Sequence, residues 1–183
     1  VGQAIESILA QDFADFEVLV VDDGSTDDSR EVVRSYRDSR VRLTCHSVNQ
    51  GVARTRNDAV DLARGEYVAF LDSDDWWEPR KLELQLADMR ARDLSISYTS
   101  YVRVGEDGRR LSQVRPPPWV GYADMLRSNH IGNLTGMYDR RPGDARCRKV
   151  GHEDHVSWTE LVRRAGGAAR VPSDGPLASY LVR

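Results

Sequence analysis

The chain has 183 residues, 40% of them hydrophobic and 30% charged, which suffices for one domain with its own core. With 26 Lys and Arg against 29 Asp and Glu the net charge is −3, a balance that argues against an electrostatic nucleic-acid binder. No apolar run approaches the roughly 18 residues that span a bilayer, no secretory signal is visible, and Cys45 and Cys147 are too few for a disulfide scaffold, so a protein of a reducing, cytoplasmic compartment is expected, at most peripheral at the inner face of a membrane.

Residues 1–11 place Ile5, Ile8 and Leu9 at helical spacing, with Val1 already inside the pattern. Residues 16–21, FEVLVV, have the near-continuous apolar character of a strand buried on both faces of a parallel sheet. The strand stops at Asp22-Asp23-Gly24-Ser25, and residues 27–37 read as a helix with acids in its first turn. A short strand is predicted over 41–45, a helix over 51–64 closed by Gly65, and a second buried-type strand over 67–71, YVAFL. That strand runs into Asp72-Ser73-Asp74-Asp75, and a helix from about Pro79 to Arg92 follows.

The alternation predicts an α/β fold with a doubly wound sheet and helices on both faces. Ligands bind beyond the carboxyl ends of strands in such sheets, so both acidic clusters belong on one rim. After about residue 95 the character changes. Residues 96–104 read as a strand, 105–108 as a turn and 109–114 as a returning hairpin arm. Pro116-Pro117-Pro118 is an extended connection, 122–128 a short helix, 134–138 a strand, 140–149 a basic loop, 153–164 a helix, and 171–183 one or two weak strands. The shift reads as two halves of one domain over 1–183, residues 1–94 and 95–183.

Three constellations can carry chemistry. The acids of 72–75 repel one another unless solvent or a cation compensates. Alternate residues of an extended segment share a face, so Asp72 and Asp74 can point the same way, and their hard oxygens suit Mg²⁺ or Mn²⁺ completed by water and phosphate. The other reading is an acidic turn capping the next helix. Asp22-Asp23-Gly24-Ser25 ends a strand where a carboxylate can accept from a ribose or base and Gly24 allows close approach; the other reading is a turn with Ser25 or Thr26 as helix cap. Glu153-Asp154 opens a helix, either as simple caps or as a general base facing an acceptor hydroxyl. Zinc would need more ligands than His152 and His155 provide.

Arg54 and Arg56 start a helix near the rim, where an Arg can meet phosphate; of Trp76 and Trp77, one is expected in the core. The basic residues Arg140, Arg141, Arg146, Arg148 and Lys149 are either a solvated loop, a lid over anionic ligands, or an attachment to anionic lipid.

Together VDDGSTDDS, NQGVARTRN, GEYVAFLDSDDWWEP and HEDHVSW resemble, in order and spacing, the family 2 glycosyltransferases, inverting enzymes with the GT-A fold. The resemblance implies transfer of a sugar from a nucleotide-diphosphate-sugar donor, UDP-linked by family frequency with GDP and dTDP open, to a glycan or lipid-linked acceptor. Carried over by position, Asp23 contacts the nucleotide, Asp72 the donor's ribose or sugar, Asp74 holds Mn²⁺ or Mg²⁺ on the diphosphate, and Asp154 deprotonates the acceptor, with Glu153 as fallback; Arg56 is placed on the donor side. Members of the family begin with a first strand and a Pro-Thr-Tyr-Asn-like segment that precede the match here. The sequence is therefore expected to be a piece of a longer chain. Without that strand the sheet would be one strand short, the base pocket would lack a wall and an apolar edge would be open, and the alternative function is a nucleotide-sugar-binding module without transfer.

Overall fold

A computed structural model describes residues 1–144 and 146–183. The first half follows the predicted order with one short strand, β4, added: α1 (Gly2–Leu9), β1 (Val18–Asp22), α2 (Ser29–Ser35), β2 (Val41–Cys45), α3 (Val52–Leu62), β3 (Tyr67–Ala69), β4 (Trp76–Trp77) and α4 (Lys81–Arg92). The second half holds β5 (Ile96–Tyr98), β6 (Tyr101–Gly105), β7 (Arg110–Val114), β8 (Trp119–Val120), α5 (Tyr122–Arg127), a 3₁₀ turn (Asn133–Thr135), β9 (Met137–Asp139), α6 (Glu153–Ala165), β10 (Ala168–Arg170) and β11 (Ala178–Val182).

The strands form three ladders. β1 and β2 pair in parallel, from Val18 opposite Val41 to Asp22 opposite Cys45. A mixed sheet runs β3-β9-β5-β10-β8, and a second mixed sheet runs β4-β11-β6-β7. Helices cover both faces of the five-stranded sheet. Along β9, Tyr138 joins the cluster of Tyr98 and Trp158, where α6 packs, whereas Met137 joins that of Leu82 and Met89, where α4 packs; successive residues of a strand point to opposite faces.

Four expectations are corrected. The strand expected over 96–104 is broken at Thr99-Ser100, and its two pieces lie in different sheets. The paired segment of the same chain breaks at the same level: Val171 N–H donates to Tyr98 O and Leu177 N–H to Ser100 O, so β10 and β11 follow β5 and β6 around the bend. The strand expected over 134–138 begins as the 3₁₀ turn, with Thr135 N–H donating to Gly132 O at 2.8 Å. The α2 cap falls at Asp28, not at Ser25 or Thr26, and Ser25 N–H donates instead to Asp22.

The fourth correction concerns burial. β1 and β3 are half-buried, not enclosed on both faces. They belong to different ladders, and a cavity of about 980 Å³ lies between them, lined by Val18, Val20, Val60, Val68, Phe70 and Leu71 among others.

Candidate functional site

The rim is formed where β1, β2 and β3 end and α3 begins. Asp22 and Asp23 follow different chemistry despite being neighbours. Asp22 is buried; Arg30 Nε donates to its Oδ2 at 2.6 Å, and Gly24 and Ser25 N–H groups lean on the same carboxylate. It fixes the turn. Asp23 reaches across to the next loop: Gln50 N–H donates to its Oδ1 and Gly51 N–H to its Oδ2, both at 2.8 Å. Gly24 makes the approach possible. Its φ is 82°, and a Cβ there would stand 2.9 Å from Asn49 N.

A third partner of Asp23 was not read from the sequence. His46 Nδ1 lies 2.7 Å from Asp23 Oδ1, and its Nε2 lies 2.9 Å from Asp58 Oδ2 on α3. The strand register carries the signal: Asp22 opposes Cys45, so the residues that follow the two strands meet. Burial alone would raise the Asp23 pKa, but the hydrogen bonds from His46, Gln50 and Gly51 outweigh it and hold the carboxyl at about 2. His46 is pushed above its ordinary value, first by its bond to Asp23.

Arg56, one and a half turns into α3, joins the second acidic cluster. Its Nη2 donates to Asp72 Oδ1 at 2.8 Å. Burial draws the guanidinium pKa down, but the charge and the hydrogen bond of Asp72 outweigh that and raise it, with smaller contributions from Cys147 and Asp154. Thus Arg56 and Asp72 are brought together, and Asp23 is tied to them through the start of α3. Asp154 is half-buried in the first turn of α6, where the helix N-terminus favours negative charge.

Asp74 stands apart from this group. Its nearest cation is Arg183, at 3.4 Å. Asp75 N–H donates to Asp72 O at 3.1 Å, so 72–75 is a turn and the alternation expected of an extended segment does not apply. Asp75 is buried, accepts at Oδ1 from Leu181 N–H at 2.9 Å, and is pushed up to about 7 by burial. Among the described residues no three His, Cys, Asp or Glu side chains converge as a metal cage. Asp72 is paired with Arg56 and Asp74 with Arg183, so a divalent cation at Asp74 would take most of its shell from water and ligand oxygens.

The flanks are tied down. Trp77 is the buried member of its pair and donates Nε1–H to Leu134 O, while Trp76 stays half-buried. Asn57 of α3 exchanges two hydrogen bonds of 2.9 Å with the Cys147 backbone, a contact the sequence did not reveal. In the basic loop Arg140 pairs with Asp144, Arg141 with Asp139 and Arg146 with Asp61, whereas Arg148 and Lys149 are exposed. Arg54 pairs with Asp58. His155 Nε2 lies 2.7 Å from Met125 O, and His152 takes a left-handed φ of 61° before α6. Among the described residues no helix is long and apolar enough to cross a membrane.

The family model for glycosyl transferase family 2 matches residues 1–147. TuaG of Bacillus subtilis (strain 168), named for teichuronic acid biosynthesis, is 36% identical over 169 residues, spanning 90% of this chain and 67% of its own. WfgD of Escherichia coli, named a UDP-Glc:alpha-D-GlcNAc-diphosphoundecaprenol beta-1,3-glucosyltransferase, is 33% identical over 164 residues, spanning 89% of this chain and 64% of its own. The crystal structure of S. aureus TarS in complex with UDP matches with a TM-score of 0.79 at 25% identity, covering 98% of this chain and 56% of that one. The chain thus spans about two thirds of the length of these curated relatives and about half of the solved chain. From motif order, fold and family model together, the chain belongs to glycosyl transferase family 2 and has the GT-A fold.

Proposed function

We propose that this chain carries out inverting transfer of a sugar from a nucleotide-diphosphate sugar of the UDP class to a hydroxyl of a glycan or lipid-linked acceptor. The observation that supports it most is Arg56, which reaches from α3 to bond Asp72 just beyond the end of β3, on the rim where such sheets bind ligands. Asp23 is read as the nucleotide contact, Asp72 and Arg56 as the donor-sugar and phosphate contacts, and Asp74 as the residue that would hold Mn²⁺ or Mg²⁺. A cation held there supplies charge neutralisation on the departing diphosphate.

Asp154 takes the proton of the acceptor hydroxyl. The freed oxygen bonds to the anomeric carbon from the face opposite the diphosphate. The bond from that carbon to the diphosphate oxygen breaks, its electron pair leaves with the nucleotide, and the configuration inverts. The donor and acceptor classes are supported by the relatives: WfgD is named for UDP-Glc and a diphosphoundecaprenol acceptor, and TarS has been solved with UDP. A lipid-linked acceptor would bring the rim to a membrane surface, where Arg148 and Lys149, following the segment bonded to α3, offer cations to anionic headgroups.

The test is the Asp154→Asn variant assayed for both UDP binding and sugar transfer. UDP affinity is expected to hold while transfer falls by roughly 10²–10⁴-fold; transfer near the parent level would move the base to Glu153 or elsewhere. The gap beside β1 favours a second reading, a nucleotide-sugar-binding module without transfer. It is selected if the parent binds UDP but transfers nothing.

A further inference from the structure

His46 lies between two carboxylates that come from different elements, Asp23 after β1 and Asp58 on α3, and each of its ring nitrogens is within 2.9 Å of one of them. An ionised carboxylate only accepts hydrogen bonds, and a neutral imidazole has one donor and one acceptor. A neutral ring can therefore serve one of these acids and must turn a lone pair toward the other. Only the imidazolium donates to both. We propose that His46 is a positioning residue of the nucleotide site: as imidazolium it sets the Asp23 carboxylate and locks it to α3, so that nucleotide affinity follows the protonation of His46.

The inference rests on the reading of Asp23 as the nucleotide contact. A carboxylate has about four acceptor sites. His46 and the Gln50 N–H occupy Oδ1, and the Gly51 N–H occupies one site on Oδ2. One site on Oδ2 is left for a donor of the nucleotide, and its direction is fixed only while the other three bonds hold. The groups facing His46 are few. Its N–H donates to Asp22 O of β1 at 2.9 Å, and Arg30 of α2 donates to His46 O at 3.3 Å while pairing with the Asp22 carboxylate. Asp58 is shared with Arg54 of α3, and Cys45 precedes it on β2. The acids on the ring side, Asp23 and Asp58, favour the charged ring, and its raised pKa agrees with that. The sign is that of a raised histidine: the clamp is complete below its ordinary value of 6.5 and is lost as pH rises through the higher folded value.

The experiment has two arms. In the first, the amide signals of Gln50 and Gly51 and the ring signals of His46 are followed by NMR in the nucleotide-free protein from about pH 6 to about pH 8.5. All three are expected to move with one midpoint. Gln50 and Gly51 signals that stay still while His46 titrates overturn the proposal, whatever the protein binds. In the second, UDP with Mg²⁺ is titrated over the same range into the parent, His46→Gln and Asp23→Asn. Parent affinity is expected to fall about tenfold above the His46 midpoint, the scale of one hydrogen bond to a charged group. His46→Gln is expected to be weak and flat with pH. A variant that loses thermal stability yet keeps the parent's pH profile shows a merely structural role and overturns the proposal. Unchanged UDP affinity in Asp23→Asn instead defeats the reading of Asp23, a result separable from the first arm.

Discussion

The two edges of β3 are built differently. On one edge Tyr67, Val68 and Ala69 pair with Asp139, Tyr138 and Met137 of β9, and behind that edge Tyr98, Tyr138 and Trp158 are sealed from solvent, with the Trp158 ring edge-on to Tyr138 and Phe70. On the other edge lies the cavity, with half-buried β1 beyond it. The packed edge holds its shape by close contact alone. Across the open edge the ends of β1 and β3 are related through α3: Gly51 and Asp58 reach Asp23, directly and through His46, and Arg56 reaches Asp72. The rim at Asp23 and Asp72 thus depends on a polar brace, and the side that carries α6 on a packed core.

That contrast can be broken or sharpened by experiment. The largest effect expected is on the packed edge. Val162→Ala on α6, at 0% exposure, removes two methyl groups from a closed core and is expected to cost about 2–3 kcal/mol, counting the cavity left behind. The same change at Val20, which already lines open space, is expected to cost under about 1 kcal/mol, the transfer term alone. Chemical denaturation of both variants measures the difference, and equal costs would mean that the two edges are equally packed. Next, Arg56→Ala is expected to weaken UDP binding about tenfold, the lower range for a charged hydrogen bond since Asp72 is 43% exposed. Calorimetry of the variant checks this, and parent affinity would remove Arg56 from the brace.

The smallest effect expected is in acid. Asp23 is held at about 2, below the ordinary 3.8. A lowered carboxylate pKa adds stability that is present above the unfolded value and is lost as pH falls through the folded one. The stability advantage of the parent over Asp23→Asn is therefore expected to shrink between about pH 4 and about pH 2, read from denaturation midpoints across that window. An advantage unchanged throughout would mean that the brace does not rest on the ionised carboxylate.

Local pattern made the helices and the rim legible. β2 and α4 lie where periodicity put them, and both acidic clusters follow strand ends as the alternation required. The burial of β1 and β3 was misread because an apolar run reports what a strand can bury against and not what stands beside it. The break at Thr99-Ser100 was hidden because β-branched and aromatic residues continue through it, and the bend is set by pairing with a segment some 75 residues away. At the candidate site, motif order singles out Asp23, Asp72, Asp74, Arg56 and Asp154 as candidates, and the structure adds the bond between Arg56 and Asp72. His46 was not, because a single histidine after a strand carries no pattern, and its meaning comes from the β1–β2 register and from Asp58 on another element.

The most direct test of this account is calorimetric titration of the purified protein with UDP, GDP and dTDP, each with Mn²⁺ and with EDTA, in the parent and in Asp74→Asn. The account predicts one-site binding of UDP that needs the metal and is lost in Asp74→Asn. UDP binding that survives both EDTA and the substitution, or a folded protein that binds none of the three, would contradict it.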